Sequence, residues 1–288
     1  MRDQAEQLRE RMQQNRKARP TRLITVSSGK GGVGKSNFSL NFGLGLIERG
    51  HKTILFDVDL GLANLDVLMG ISPRHNLFHL LEPDKTVWDI LERGPGNLEF
   101  IAGGSGFTQI MQLEDAKLDR LFSQLEPLHG YADTIIFDTG AGVSKESIRF
   151  MLSSDEVILV TTPEPTAITD AYAVIKMIHS RNPQVQIRMV INRATSEREG
   201  RATADKLAMV AKRFLNMEIG TLGYITDDPH VSKAVKLQRP FLLAYPESQA
   251  SKSIRKLVGS YLNHASAPER DSGGGLRGFL AKLKNFVR

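Results

Sequence analysis

Eight consecutive residues, Gly29-Lys30-Gly31-Gly32-Val33-Gly34-Lys35-Ser36, bring together four glycines, two lysines and a hydroxyl. That mixture suits a phosphate group. Glycine lacks a Cβ, so successive backbone N–H groups can curl around an anion without clashing. The spacing is glycine, four residues, then Gly-Lys-Ser. It matches a phosphate-binding loop in which Lys35 neutralises the β- and γ-phosphates and the Ser36 hydroxyl coordinates Mg²⁺. At average residue frequencies, four such fixed positions arise by chance in roughly one chain of this length in a hundred. Gly29 to Ser36, with Asn37 next in line, are the expected nucleotide contacts, and ATP with Mg²⁺ the expected ligands.

Two acidic segments can serve the same chemistry. Asp57-Val58-Asp59 closes one apolar run and Asp138 closes another. Carboxylates at strand ends can hold magnesium or orient an attacking water. In doubly wound sheets ligands collect outside the carboxyl ends of the strands.

The elements that must position these groups alternate along the chain. Strand patterns cover 22–28, 52–57, 133–138, 156–161, 186–192 and 218–224, several as short unbroken apolar runs of the kind covered by helices on both faces. Helical patterns lie at 36–49, near 114–129, 144–152, 166–181, 200–214 and 247–262. The alternation predicts an α/β fold, a doubly wound and mostly parallel sheet. The loop at 29–36 follows a strand and opens a helix, so a helix N-terminus also faces the anion.

Charge is concentrated at the ends. The net charge is +6; residues 1–20 and 265–288 each contribute +3, and the 244 residues between balance to zero. A neutral body argues against a broad nucleic-acid face, and no nucleic-acid partner is expected. The ends suit an acidic partner or an anionic membrane. There is no cysteine, which excludes disulfides and thiolate-held zinc or iron–sulfur clusters. With no signal-like apolar segment at the N-terminus and no run of 18 apolar residues, the expected location is cytoplasmic.

Residues 1–20 read as an extension with a thin helical stripe (Ala5, Leu8, Met12), and 21–263 as the catalytic domain. Residues 264–275 form a linker ending in three glycines, and 276–288 regain helical period. At about 100° per residue, Leu276, Phe279, Leu280, Leu283, Phe286 and Val287 fall within an arc of roughly 120°, with Arg277, Lys284 and Arg288 on one flank. That is the pattern of an interfacial membrane helix, although a helix that binds a protein partner or docks on its own domain would show the same stripe. The glycine-rich linker favours the free helix, and reversible peripheral attachment to the cytoplasmic face of the membrane is the expectation.

The segment Gly-Lys-Gly-Gly-Val-Gly-Lys-Ser, with its second lysine at Lys30, resembles the deviant Walker A signature of the MinD/ParA family of ATPases. DVDLGLANLDVLMG (57–70), FDTGAG (137–142) and TTPEPTAITDAY (161–172) resemble that family's switch I, Walker B with switch II, and the following loop. The resemblance implies an ATP hydrolase that dimerises on ATP. Lys30 would reach the partner's phosphates, Asp59 would position the hydrolytic water, and Asp57 and Asp138 would support magnesium. Asn192 would read adenine with Arg193 beside it. Ser36 stands where the family more often has threonine; both offer a hydroxyl. Asp3-Gln4-Ala5-Glu6-Gln7-Leu8-Arg9 resembles the DQAxxLR motif of the FlhG (FleN/YlxH) group within that family, regulators of flagellar number. There Gln4, Leu8 and Arg9 would contact an FlhF-like GTPase of the signal-recognition-particle type, and flagellar basal-body or C-ring proteins would be further partners. A MinD-type cell-division regulator and a ParA-like DNA-partitioning ATPase are the alternatives.

Overall fold

Unbroken apolar runs become central strands because both of their faces are covered. The computed structural model describes residues 21–59, 65–103, 114–264 and 275–285. In chain order, β1 (Arg22–Ser27) leads into α1 (Lys35–Glu48), and β2 (Thr53–Val58) into α2 (Leu65–Met69) and α3 (Val87–Ile90). A hairpin of β3 (Glu92–Arg93) and β4 (Glu99–Ile101) precedes α4 (Asp115–Leu125). Then β5 (Thr134–Thr139) leads to α5 (Lys145–Ser153), β6 (Glu156–Thr161) to α6 (Pro165–Arg181), and β7 (Gln186–Ala194) to α7 (Glu197–Leu215). Finally β8 (Gly220–Thr226) is followed by α8 (Pro229–Lys236), α9 (Phe241–Ala244), α10 (Gln249–His264) and α11 (Gly275–Asn285). Every residue of β2, β5 and β6 is buried.

The eight strands form one sheet in the order β3-β4-β2-β5-β1-β6-β7-β8. All neighbours are parallel except β3 and β4. The doubly wound parallel sheet predicted from the sequence is the fold observed. The edge hairpin escapes the periodicity because its strands are two and three residues long, joined through a turn in which Gly96 and Asn97 take positive φ.

On one face, α1 and α10 cover the sheet, with Phe38, Phe42 and Tyr261 packed against Ile24, Leu55 and Ile136. On the other, α4 and α11 cover Leu23, Ile135 and Phe137, while α6 and α7 cover β6 and β7. Successive residues of a strand point to opposite faces, so β5 presents Ile136 to α1 and Phe137 to α11.

The position of α11 corrects one expectation. The glycine-rich linker favoured a helix held away from the domain. Instead Leu276, Phe279, Leu280 and Leu283 are buried in the body of the protein. Phe279 stacks on Phe137, with centroids 4.7 Å apart and planes 7° apart, and meets the Phe150 ring at 5.9 Å. Burying each such side chain contributes about 1.5–3 kcal/mol relative to exposure. That outweighs the chain entropy of a flexible connection, because closure cost rises only slowly with loop length. Gly275, expected to end the linker, is the first residue of the helix and packs against the His129 ring. Phe286 and Val287, counted in the same apolar stripe, lie outside the described residues, as do Gln4, Leu8 and Arg9.

Phe279→Ala is expected to weaken docking by about 3 kcal/mol. Amide hydrogen exchange in 276–285 should then accelerate on the order of a hundredfold while β5 and β6 keep their protection. An equal acceleration in both would place α11 in the global folding unit.

Candidate nucleotide site

The site grows from the junction of β1 and α1. Gly29 leaves β1 so close to α6 that a Cβ would overlap the Asp170 backbone. Gly34, just before α1, has φ +89°, and the Asn192 amide nitrogen occupies the space a Cβ would need. Neither position tolerates a side chain, for a backbone reason at one and a side-chain reason at the other. Gly31 and Gly32 form the exposed tip, while Val33 is buried and anchors the loop in the core. Ser36 and Asn37 lie half-buried in the first turn of α1.

The two lysines of the loop take opposite addresses. Lys35 points inward, 7% exposed, and its Nζ lies 3.1 Å from Asp138 Oδ1 and 3.2 Å from Ser36 Oγ. Lys30 points outward, 39% exposed, and its Nζ donates to Glu164 Oε2 at 3.2 Å and Thr166 Oγ1 at 2.9 Å at the start of α6.

Parallel pairing of β2 and β5 sets Asp57 directly beside Asp138. Both carboxylates are buried. Asp138 Oδ1 also accepts a 2.6 Å hydrogen bond from Ser39 Oγ, one helical turn beyond Lys35. Asp57 Oδ1 accepts from the Asp59 N–H at 3.0 Å. Burial, reinforced by the Asp138 charge, pushes the Asp57 carboxyl up from 3.8 to about 7. Two carboxylates thus face one ammonium in a site closed to water, an arrangement lacking positive charge.

Asp59 lies at the mouth, where its Oδ1 would be 3.1 Å from a Cβ placed on Gly140. Gly140 belongs to the turn after β5, which is tied back to the loop by the Gly142 N–H donating to the Ser28 carbonyl at 2.8 Å. Asn192 and Arg193 sit at a register shift in the pairing of β7 with β8, and Arg193 takes φ +55°. Bulges of this kind re-aim side chains beside functional sites. Here Asn192 Nδ2 donates to the Val33 carbonyl at 2.7 Å, while Arg193 turns outward to Asp227 at 3.8 Å.

The structure therefore brings Lys35, Ser36, Asn37, Asp57, Asp59, Asp138 and Asn192 around one loop. Ser39 was not singled out from the sequence, although a hydroxyl one turn after a phosphate-site lysine is a readable signal. Glu164 and Thr166 carried no comparable signal, because only the folded chain brings them to Lys30.

The residues fit a magnesium nucleotide. A hydroxyl and one or two carboxylates, completed by phosphate oxygens and water, suit Mg²⁺, which seldom uses an all-protein cage. Among the described residues no three His, Asp or Glu side chains converge to form such a cage. The surplus buried negative charge is what a divalent cation relieves; when bound, the ion neutralises phosphate charge as a Lewis acid.

Residues 24–241 match the CobQ/CobB/MinD/ParA nucleotide binding domain. The chain belongs to this family. It is 37% identical to the antiactivator FleN of Pseudomonas aeruginosa, over 87% of this chain and 90% of that protein. Identity to the flagellum site-determining protein YlxH of Helicobacter pylori is 35%, over 93% and 91%. Among solved structures, the septum site-determining protein MinD of Pyrococcus horikoshii, complexed with Mg-ADP, superimposes with a TM-score of 0.68 at 26% identity, covering 85% of this chain and 98% of that one. The chain is an ATP hydrolase of the MinD/ParA family, and ATP and Mg²⁺ are its ligands. No helix among the described residues is long and apolar enough to cross a membrane.

A raised carboxyl pKa sets the sign of a pH effect. Between about pH 4 and pH 7 the native protein holds a proton on Asp57 that the unfolded chain has released. Stability from this group is therefore lost as pH rises through that window, by at most roughly 4 kcal/mol. Urea midpoints of metal- and nucleotide-free protein should fall relative to Asp57→Asn between pH 5 and pH 8, with roughly parallel pH profiles counting against the assignment.

Proposed function

We propose that the chain is an ATP-gated dimerising switch that controls flagellar number and placement, with ATP hydrolysis as its timer. The observation that carries this reading is the division of labour between the two lysines. Lys35 is committed to the interior of its own loop, whereas Lys30 stands at the rim on an exposed pair. A cation at the rim is placed to serve a second copy. Inserted beside the partner's phosphates, it acts as an arginine finger does, on charge that develops during phosphoryl transfer. In this reading Lys35 and the loop amides hold the phosphates, Ser36, Asp57 and Asp138 hold the magnesium, and Asp59 orients the attacking water. Asn192, braced on the loop carbonyl of Val33, faces adenine.

The flagellar assignment is supported by the similarity to FleN and YlxH. The N-terminal segment with Gln4, Leu8 and Arg9 then serves as an activator of an FlhF-like GTPase. A short marginal helix suits that role, because it can fold on its partner. Basal-body proteins are the further partners. The C-terminal helix is the membrane element, alternating between the docked state described above and an interfacial one. Its apolar face is satisfied in either place, and the bias supplied by ATP-driven dimerisation and lipid has to offset the groove floor left uncovered. Two helices in one dimer also bind with avidity.

Lys30→Ala should retain most nucleotide affinity but lose ATP-dependent dimerisation, read by light scattering with ATP in an Asp59→Ala background. Conversely, Glu164→Ala removes the exposed partner of Lys30 and should favour dimerisation by up to about fivefold. A Lys30→Ala chain that dimerises normally would remove the basis of this reading. Deleting residues 1–20 should leave ATP binding intact and abolish stimulation of the FlhF-type GTPase in a coupled turnover assay; stimulation that persists would move the activator elsewhere in the chain.

A further inference from the structure

The docked α11 is held by more than its apolar seam. Arg277 Nη2 lies 2.7 Å from Glu126 Oε2, and Lys284 Nζ lies 2.6 Å from Asp119 Oδ1. Both carboxylates come from one stretch of chain, α4 and the single turn that follows it at Glu126–Leu128. The same stretch supplies Leu121, Leu125 and Leu128 to the apolar floor under Leu276, Phe279 and Leu280. The two pairs sit near opposite ends of the helix, at its first and last turns. They flank the apolar seam as a clasp.

The chemistry of the two states makes this clasp decisive. The apolar face of α11 leaves water whether it lies in the protein groove or among lipid tails, and the groove floor it uncovers on leaving costs the same whatever the lipid, so apolar burial does not distinguish one bilayer from another. Arg277 and Lys284 differ more. In the groove they face carboxylates. On an anionic bilayer they face headgroups of net negative charge, whereas on a zwitterionic bilayer each headgroup phosphate is already balanced by its own ammonium and replaces the carboxylates poorly. Each pair is partly exposed, with Arg277 at 77% and Asp119 at 62%. Each is therefore weak enough to exchange, at roughly fivefold or less in equilibrium terms.

We propose that Asp119 and Glu126 form an acidic clasp that anionic lipid must outcompete, so that these two carboxylates set the surface charge at which α11 leaves its groove. The proposal rests on the reading of α11 as the membrane element. Releasing the clasp gives a helix that undocks more often and accepts bilayers of lower charge. Keeping it confines binding to strongly anionic surfaces, with phospholipid headgroups of net negative charge as the ligand class.

The test uses the full chain with ATP, and phosphatidylcholine vesicles carrying graded amounts of phosphatidylglycerol. Three proteins are compared: wild type, Asp119→Asn/Glu126→Gln, and Glu218→Gln/Glu247→Gln. The third has the same net charge as the second but neutralises exposed acids remote from α11. Cosedimentation gives the phosphatidylglycerol fraction at half-binding, and hydrogen exchange without lipid reports undocking of 275–285. The clasp variant is expected to exchange several-fold to about twentyfold faster in that segment and to reach half-binding at a lower phosphatidylglycerol fraction. The charge-matched variant should stay close to wild type in both. Wild type that binds with an unshifted midpoint in the clasp variant, or a charge-matched variant that shifts as far, would overturn the clasp. Failure of wild type to bind vesicles of any composition would instead overturn the membrane reading on which it stands.

Discussion

Asp57 and Asp138 end adjacent parallel strands in register, and the rest of the site is arranged around that fact. Two buried carboxylates at the same level cannot both carry full charge without compensation. Lys35 supplies one positive charge, Ser39 donates a hydrogen bond, and Asp57 responds with a carboxyl displaced to about 7. The remaining deficit is a preorganised demand for a cation, set by strand pairing and not by loop conformation. This explains why the loop can be so glycine-rich at its tip. The charges that must be fixed are on strands and on the first turns of α1, and the loop has only to present its amides.

Strand β5 also ties the site to the far side of the sheet. Asp138 faces α1, and its neighbour Phe137 faces the opposite layer, where it stacks on Phe279. The turn that continues β5 contacts both Asp59 and the end of β1, and the next element, α5, carries Phe150 against the same Phe279 ring. The nucleotide side and the α11 groove therefore share a backbone. The turn at 140–142 lies against Asp59 on one side, and the helix that follows it carries Phe150 into the wall of the groove on the other. One strand and the helix after it thus form parts of both surfaces.

Legibility in the sequence followed how locally each feature is encoded. The phosphate loop was readable because its glycines, lysines and serine are contiguous and each has its own chemical reason. The central strands were readable because complete burial makes them unbroken apolar runs. Asp57 and Asp138 were legible as strand ends, but not as neighbours, since register is set by pairing across 81 residues of chain. The pair of Lys30 with Glu164 was not legible at all. Nor was the docking of α11, because an amphipathic stripe is the same whether its apolar side meets lipid or protein. What decides is the complementary floor, contributed by Phe56, Leu121, Phe137 and Phe150 from four separate elements. Composition of the linker was a poor guide beside four buried side chains.

Burial sorts the charged contacts of this protein into two kinds. Lys35 with Asp138, and Arg188 with Glu156, lie in the interior, where removing one partner strands a charge at a cost of about 3–5 kcal/mol. Arg188 with Glu156 is a fixed part of the fold, and Lys35 with Asp138 holds until phosphate and magnesium take the place of each partner. Lys30 with Glu164, Arg277 with Glu126, and Lys284 with Asp119 each have at least one partner in open solvent, where a pair contributes at most about 1 kcal/mol. Such contacts can be traded for another anion at little cost. Other exposed pairs, such as Lys212 with Glu218 and Lys252 with Glu247, are ordinary surface contacts, whereas these three stand at the rim of the phosphate loop and along the last helix. Exchange at these three positions leaves the buried strands and the pair of Arg188 with Glu156 untouched, so partners can change there without disturbing the core.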